Sequence, residues 1–271
     1  MERIKSRRHP LVQEAAALLK SREERYGRGL FLCEGARLCE DAALSDLKIH
    51  TCFVTDSAME KYEGYLKSVF AVCENAFLIE ESVAALLSST KSPQGVFCVC
   101  ELPKALLQNV IGFAPKQPCL VLENLQDPGN LGTIFRTAEA LGLTRIFLLG
   151  EGCDPFSPKV LRASMGAVFR LSLVTERDPK RLRELLDGYT LYAAVPDSGA
   201  TPVTQIDFSK GLSAVFIGNE GNGLSEETLS LCHERITIPM RGRAESLNAS
   251  AAANILLWEL CRKGGAAVEE R

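Results

Sequence analysis

Between residues 10 and 25 the apolar side chains Leu11, Ala15, Leu18 and Leu19 recur at helical spacing, which predicts an amphipathic helix. The period then changes. "GLFLCEG" (29–35) reads as a short buried strand followed by a helix around 36–44; "IHTCFVT" (49–55), "AFLIE" (76–80) and "GVFCVCEL" (95–102) read as further strands, with helices near 57–69 and 81–88. This α/β alternation is long enough for a small independent domain. Three prolines in "ELPKALLQNVIGFAPKQP" (101–118) break the rhythm and place a domain joint there. From "CLVLENL" (119–125) the alternation resumes, with helices at 131–141, about 158–165, 178–187, after "LSEE" and at 247–262. Strands fall at 145–150, 169–175, 190–195, 213–218 and 235–240. Near-continuous apolar strands separated by helices predict an α/β fold with a mostly parallel sheet covered on both faces.

A length of 271 residues with 46% hydrophobic content fits two domains. The division expected is a domain over 1–105, a linker over 106–117 and a second domain over 118–271. The charged start "MERIKSRRHP" leads into no apolar signal segment, and no apolar run is long enough to span a bilayer. A soluble cytoplasmic protein without a membrane segment is expected. The ten cysteines sit singly on apolar segments with no C-x-x-C pair, so buried free thiols are expected and no metal site. Cys98 and Cys100 are read as pointing to opposite faces of their strand.

The net charge of −3 is uneven: residues 1–30 carry eight basic and four acidic side chains, a net +4, and the remainder carries −7. A basic N-terminal face could steer toward nucleic acid, although a solvated helix with i,i+4 ion pairs accounts for the stretch equally well.

In α/β sheets ligands lie beyond the carboxyl ends of the strands, and three such loops are unusual here. In "DPGNLGTIFRTAEALG" (127–142), Asn130 is placed to cap a helix whose buried stripe is Leu131, Ile134, Phe135, Ala138 and Leu141. Arg136 and Glu139 fall on the other side, where by themselves they would form an exposed i,i+3 ion pair. "FIGNEGNGLSEE" (216–227) runs a strand into a glycine-rich turn that lets a ligand meet the backbone, yet it is neither a Walker loop nor the dinucleotide fingerprint. "IPMRGRAESLNASAAANILLWEL" (238–260) puts Gly, Arg, Glu, Ser and Asn ahead of an Ala-rich helix opened by Ser246 or Asn248, more polar chemistry than a cap requires.

Taken in order, "NLGTIFRTAEALG", "IGNEGNGLS" and "IPMRGRAESLNASAAA" resemble the three motifs of the SpoU branch of the SPOUT superfamily, S-adenosylmethionine-dependent RNA 2′-O-ribose methyltransferases. The resemblance covers about residues 118–262 and includes "KVLRASMGAVFRL" (159–171) between the motifs. Residues 1–100, with "FLCEGARL" (31–38), resemble less specifically the substrate-recognition domain that many members carry.

The resemblance implies a deep trefoil knot in the second domain, a rare exception to unknotted topology, and a homodimer whose RNA site is built from both subunits. S-adenosylmethionine would be held largely by backbone at Gly218, Ile238, Met240 and Leu247, helped by the loop after Val195. Arg136 matches the family's catalytic arginine. Because a guanidinium is a poor base, holding the RNA phosphate and stabilising developing negative charge is the role expected of it. Asn130, Glu220, Ser246 and Asn248 match polar motif positions that shape the pocket. Ala249 stands where many members have valine and Trp258 where tyrosine is frequent; neither change removes a reactive group. RNA phosphates would be met by Arg7, Arg8, Lys159, Arg162, Arg241 and Arg243, contacts that position without reading sequence.

The expected activity is therefore 2′-O-methylation of RNA, ribosomal rather than transfer RNA because of the appended first domain. The competing classes are a non-catalytic RNA-binding or assembly protein and, from the α/β pattern alone, a nucleotide-dependent dehydrogenase, which lacks its fingerprint here.

Overall fold

The computed structural model describes residues 1–45, 47–103 and 117–263, so nearly all of the expected linker lies outside the described residues. The chain clusters into two units, the described residues of Met1–Gln108 with Asp154–Phe169, and those of Asn109–Cys153 with Arg170–Arg271. No helix among the described residues is long and apolar enough to cross a membrane.

The first unit runs β1 (Glu2–Ile4), α1 (Pro10–Lys20), α2 (Arg22–Arg28), β2 (Leu30–Glu34), α3 (Ala36–Ala43), β3 (Ile49–Val54), α4 (Asp56–Lys61), α5 (Glu63–Val72), β4 (Asn75–Ile79), α6 (Glu81–Leu87) and β5 (Val96–Glu101). Its sheet has the order β1-β4-β3-β5-β2, with β5 antiparallel to both neighbours. The helix expected over 10–25 is two helices, because Ser21 adopts extended backbone (φ −121°) and its hydroxyl accepts from Glu24 N at 3.2 Å to start the second. The stretch 57–69 is likewise divided, at Tyr62. Strand β1 was not anticipated: three residues in a charged run carry no readable period, and only pairing with β4 defines it.

The reading of Cys98 and Cys100 is corrected. Side chains two apart on a strand share a face; Cys98 pairs across the sheet with Cys33 and Cys52, and Cys100 Sγ lies 3.9 Å from Cys33 Sγ. Burial raises the Cys33 and Cys39 thiols, so these groups are inert filling. Among the described residues no group of His, Cys, Asp and Glu is arranged to hold a metal ion.

The second unit holds β6 (Cys119–Glu123), α7 (Pro128–Ala140) and β7 (Arg145–Leu149); after the segment containing α8 (Pro158–Ser164) come β8 (Ser172–Glu176), α9 (Pro179–Leu185), β9 (Thr190–Ala194), β10 (Thr201–Pro202), β11 (Ser213–Ile217), α10 (Glu226–Leu231), β12 (Glu234–Thr237) and α11 (Ala249–Lys263). Its seven strands have the order β10-β12-β9-β11-β6-β7-β8 and every pair is parallel, as the apolar runs predict. From β6 the chain first winds outward through β7 and β8, then returns to build the other half beyond β11. The junction of β6 with β11 is thus a topological switch point, where a crevice opens beyond the strand ends. Strands β8 and β12 differ from expectation at their ends: a 3-10 turn at Ala167–Arg170 precedes the first, and the second stops at Thr237, leaving 238–248 as loop.

Segment 154–169 packs with the first unit. Phe31 meets Phe156 edge-on at 4.7 Å between ring centroids. The Arg25 guanidinium donates to Asp154 Oδ2 (Nε, 2.7 Å) and to the Leu18 carbonyl (Nη1, 2.5 Å), while Phe156 N donates to Asp154 Oδ1 at 2.9 Å. Both side chains of this ion pair are only about one-twentieth exposed, 5% and 6%. Truncating one member of such a pair leaves the other charge buried alone, at a cost of about 3–5 kcal/mol. Arg25→Ala is therefore expected to lower the urea midpoint by a corresponding amount, and Arg25→Met with Asp154→Leu to lower it less than Arg25→Ala does.

Candidate active site

The switch-point crevice is built from two loops that side chains tie together. After β6, Asn124 takes a left-handed conformation (φ 52°), which asparagine tolerates better than most residues. Its Oδ1 accepts from Glu151 N at 2.7 Å, beneath Gly150, where an added Cβ would lie 2.3 Å from that oxygen. The helix expected from Leu131 begins three residues earlier. Asp127 is its cap, accepting from Asn130 N at 2.9 Å, and Pro128 occupies the first turn, which needs no N–H there. The strand-D-P-G sequence carried that signal. Asn130 is freed from capping and is buried, its Nδ2 donating to Glu220 Oε1 at 3.0 Å.

Glu220 comes from the loop after β11. Besides Asn130 it accepts from Gln126 N and Asp127 N, both at 3.1 Å. Burial alone would push its carboxyl up, but these three hydrogen bonds outweigh that and hold it below its ordinary value of 4.5. The loop is shaped by Asn219, whose Oδ1 accepts from Gly221 N and Asn222 N (2.7 and 3.2 Å) and whose Nδ2 donates to the Asn124 carbonyl (2.9 Å). Gly218 is obligatory: a Cβ there would lie 2.0 Å from the Gly223 carbonyl carbon. Below the crevice, the buried Glu123 carboxylate accepts from Ser225 N, Ser225 Oγ and Thr228 Oγ1 at 2.7–3.0 Å, anchoring the start of α10. Glu123, Asn124, Gln126, Asp127 and Asn219 were missed by the sequence reading, which looked for reactive groups rather than for the scaffold of a loop.

Strand register places three expected cofactor positions on one edge. Phe216 pairs with Ala193 and Ile236 with Ala194, so Gly218, Val195 and Ile238 follow the ends of three adjacent strands. Val195 N donates to the Ile236 carbonyl at 2.9 Å. Val195, Ile238 and Leu247 are half-buried, and Met240 is exposed. Backbone groups beside half-exposed aliphatic surface suit a ligand with an apolar ring and a zwitterionic tail.

Other expected residues are not brought into this cluster. Asn248 caps α11, its Oδ1 accepting from Ser250 N at 2.9 Å, and Ser246, Arg241 and Arg243 lie on the exposed 238–248 loop. Arg136 is exposed on the outer face of α7, in line with Thr133 and Ala140, while Asn130 points inward. The Arg136–Glu139 pair does not form: Glu139 accepts from Arg170 Nε at 2.8 Å, and among the described residues nothing pairs with the Arg136 guanidinium. Arg7, Arg8 and Lys159 are exposed, and Arg162 is half-buried.

An all-parallel sheet with a backbone-lined crevice at its switch point defines a cofactor-binding α/β enzyme. Comparison narrows the class. Residues 117–258 match the SpoU rRNA Methylase family and residues 10–98 the MRM3-like substrate binding domain. An uncharacterized tRNA/rRNA methyltransferase of Synechocystis is 35% identical across 97% of this chain and 95% of its own. The 23S rRNA (guanosine(2553)-2′-O)-methyltransferase RlmP of Bacillus subtilis is 32% identical across 96% and 99%. The crystal structure of an AdoMet-bound rRNA methyltransferase from Sinorhizobium meliloti superposes with a TM-score of 0.84 at 29% identity, covering 96% of this chain and 97% of that one. The chain belongs to the SpoU rRNA Methylase family.

A carboxyl held below its ordinary value stabilises the fold fully above that value and loses the contribution as pH falls through the lowered one. The Gln126 and Asp127 amides should therefore be protected from hydrogen exchange at neutral pH and lose protection as the pH falls through the lowered value. In Glu220→Ala they should exchange rapidly at every pH; protection that survives this change would remove Glu220 as the link between the loops.

Proposed function

We propose that this protein transfers a methyl group from S-adenosylmethionine to a ribose 2′-hydroxyl of ribosomal RNA. The observation that carries the reading is the Glu220 carboxylate drawing Asn130 and the Gln126–Asp127 backbone to the glycine turn, which joins two of the three family motifs in one crevice. The names of the Bacillus and Sinorhizobium relatives favour ribosomal over transfer RNA.

Bound S-adenosylmethionine supplies an electrophilic methyl on a sulfonium. The residues present fit such a group: Gly218 leaves backbone bare where any side chain would collide with Gly223, and Val195, Ile238 and Leu247 offer aliphatic contact beside it. Met240 covers the outer side of the same edge. Asn130 and Glu220 tie the two loops at the floor of the crevice, and Ser246 and Asn248, on the exposed loop and at its helix cap, would close on it only when ligand or RNA is bound. Arg136 holds an RNA phosphate and stabilises the oxygen as its proton passes to solvent; a guanidinium suits a fixed cation better than a base. Arg7, Arg8, Lys159, Arg162, Arg241 and Arg243 serve as phosphate contacts.

One protomer leaves Arg136 facing outward, and the adjoining helix α11 presents Trp258 (57% exposed) and Ile255 (40%) one turn apart. These features support a homodimer in which Arg136 completes a site with the partner; a cytoplasmic location goes with the reading of ribosomal RNA as substrate. Trp258→Glu is expected to halve the mass measured by sedimentation.

The decisive assay incubates the protein with methyl-labelled S-adenosylmethionine and, separately, unmodified ribosomal and transfer RNA, then digests the product to nucleosides. Label is expected in a 2′-O-methylated nucleoside from ribosomal RNA, and Arg136→Ala should lower the rate by about 10²–10³. Label on a base, or an undiminished rate in the variant, would overturn the ribose assignment or the arginine's role respectively.

A further inference from the structure

A second concavity lies wholly within the first unit. It is a cleft of about 400 Å³ between the start of α3, the loop after α6 and the end of α8, a size that accommodates one small ligand. Its walls include Arg37, Ser92, Gln94, Leu161, Arg162 and Met165.

Glu34 stands behind this cleft, with a side chain only 7% exposed. Its Oε1 accepts from the Ser88 and Thr90 hydroxyls, and its Oε2 from Ser89 N and Ser89 Oγ at 3.0 and 2.7 Å. All of its acceptor sites are occupied, so the carboxylate fixes the loop as a wall, and Arg162, whose Nη1 lies 3.8 Å from Oε2, offsets its negative charge beside the cleft. Arg162 Nη1 donates to Ser89 Oγ, which turns its guanidinium along that wall. Gln94 Oε1 accepts from Ala36 N at 2.9 Å, leaving its amide nitrogen as a donor. Arg37 is exposed and has no hydrogen-bond or ion-pair partner among the described residues.

The apolar side carries a second observation. Met165 is 44% exposed and left-handed (φ 51°) where it caps the C-terminus of α8, its N–H donating to the Arg162 carbonyl; a residue with a Cβ is strained in that position and glycine is not. The next residue, Gly166 (φ 79°), packs so closely on Asp41 that a Cβ would lie 2.4 Å from its carboxylate, which fixes the turn against α3. A thioether is thus held at the surface, beside Leu161 and facing two arginines.

We infer that this cleft holds one unstacked nucleotide of the RNA substrate, its phosphate between Arg37 and Arg162 and its base against Leu161 and Met165, with Gln94 and Ser92 at the base edge. An anionic group joined to a flat, polar-edged ring matches this set, and single-stranded RNA supplies such nucleotides. The inference rests on the reading of the protein as one that acts on RNA, but not on its chemistry.

The test uses the full chain and a fluorescein-labelled single-stranded RNA of mixed sequence, about 12 nucleotides long, in anisotropy titrations over a salt series. Arg37→Ala is expected to weaken binding about tenfold and to reduce the salt slope by about one phosphate contact. Met165→Gly should weaken it about fivefold through the lost sulfur–ring contact, with Tm unchanged or raised because the strained backbone is relieved. Ultraviolet crosslinking and mass spectrometry should place a nucleotide adduct on the peptide containing Leu161 and Met165. Affinities within about twofold of the parent in both variants, or adducts only elsewhere, would overturn the inference even if methyl transfer proceeds normally. Adducts at Met165 without methyl transfer to any RNA would support it while removing the catalytic reading.

Discussion

The Glu220 carboxylate closes a gap that the sheet leaves open. Strands β6 and β11 are neighbours although the residues following them are some 90 positions apart, and beyond their last paired residues no ladder holds the two loops together. An anion accepting from two backbone N–H groups and one amide bridges them, and charge-assisted bonds of this kind are roughly twice as strong as neutral ones. Asn219, reaching the Asn124 carbonyl, repeats the link one step nearer the sheet, and Glu123 with Ser225 and Thr228 repeats it one step deeper. Each bond also orients a backbone that would otherwise sample many conformations. The crevice is consequently rigid before any ligand enters, and preorganisation of this sort lowers the entropic cost of binding.

The apolar strands were legible in the sequence because buried parallel strands are written as continuous runs such as "CLVLE" and "SAVFI", each bounded by turn residues. Their order across the sheet was not, since the junction of β6 with β11 depends on contacts that no local period records. Helix starts were displaced where the capping residue differed from the one expected, by three residues with Asp127 in place of Asn130 and by two with Asn248 ahead of Ala249. Short elements such as β1 and the Ser21 break were invisible because one hydrogen bond or one strand partner defines them. The chemistry showed the same division: Asn130 and Glu220 were named from motif position, and the structure brings them to 3.0 Å. Their bonding partners at Gln126 and Asp127 are backbone N–H groups, which carry no sequence signature.

Segment 154–169 shows why a sequence boundary and a packing boundary can disagree. It lies inside the matched methylase region, 117–258, yet its aromatic and ionic contacts are made to the N-terminal strands and helices. Phe156 fills a place against Phe31, and Asp154 satisfies a buried arginine whose only other acceptor among its described bonds is the Leu18 carbonyl. Neither requirement can be met within the segment itself. A stretch that is amphipathic at helical spacing therefore docks where complementary charge and volume exist, and chain position alone does not decide where.

Arg136 brings these constraints to bear on mechanism. Its helix is anchored at one end by the Asp127 cap and along one side by buried Leu131, Ile134, Phe135 and Ala138, so the arginine's direction is fixed although its tip is mobile in solvent. Its natural i,i+3 partner is engaged by Arg170, which keeps the guanidinium from being neutralised locally. The guanidinium is left exposed, with no hydrogen-bond or ion-pair partner among the described residues. Asn130, six positions earlier on the same helix, lies about 120° round it and is buried, so the two residues are presented to different sides of α7. The exposed Trp258 and Ile255 on the helix packed beside α7 supply apolar surface where a second subunit would rest.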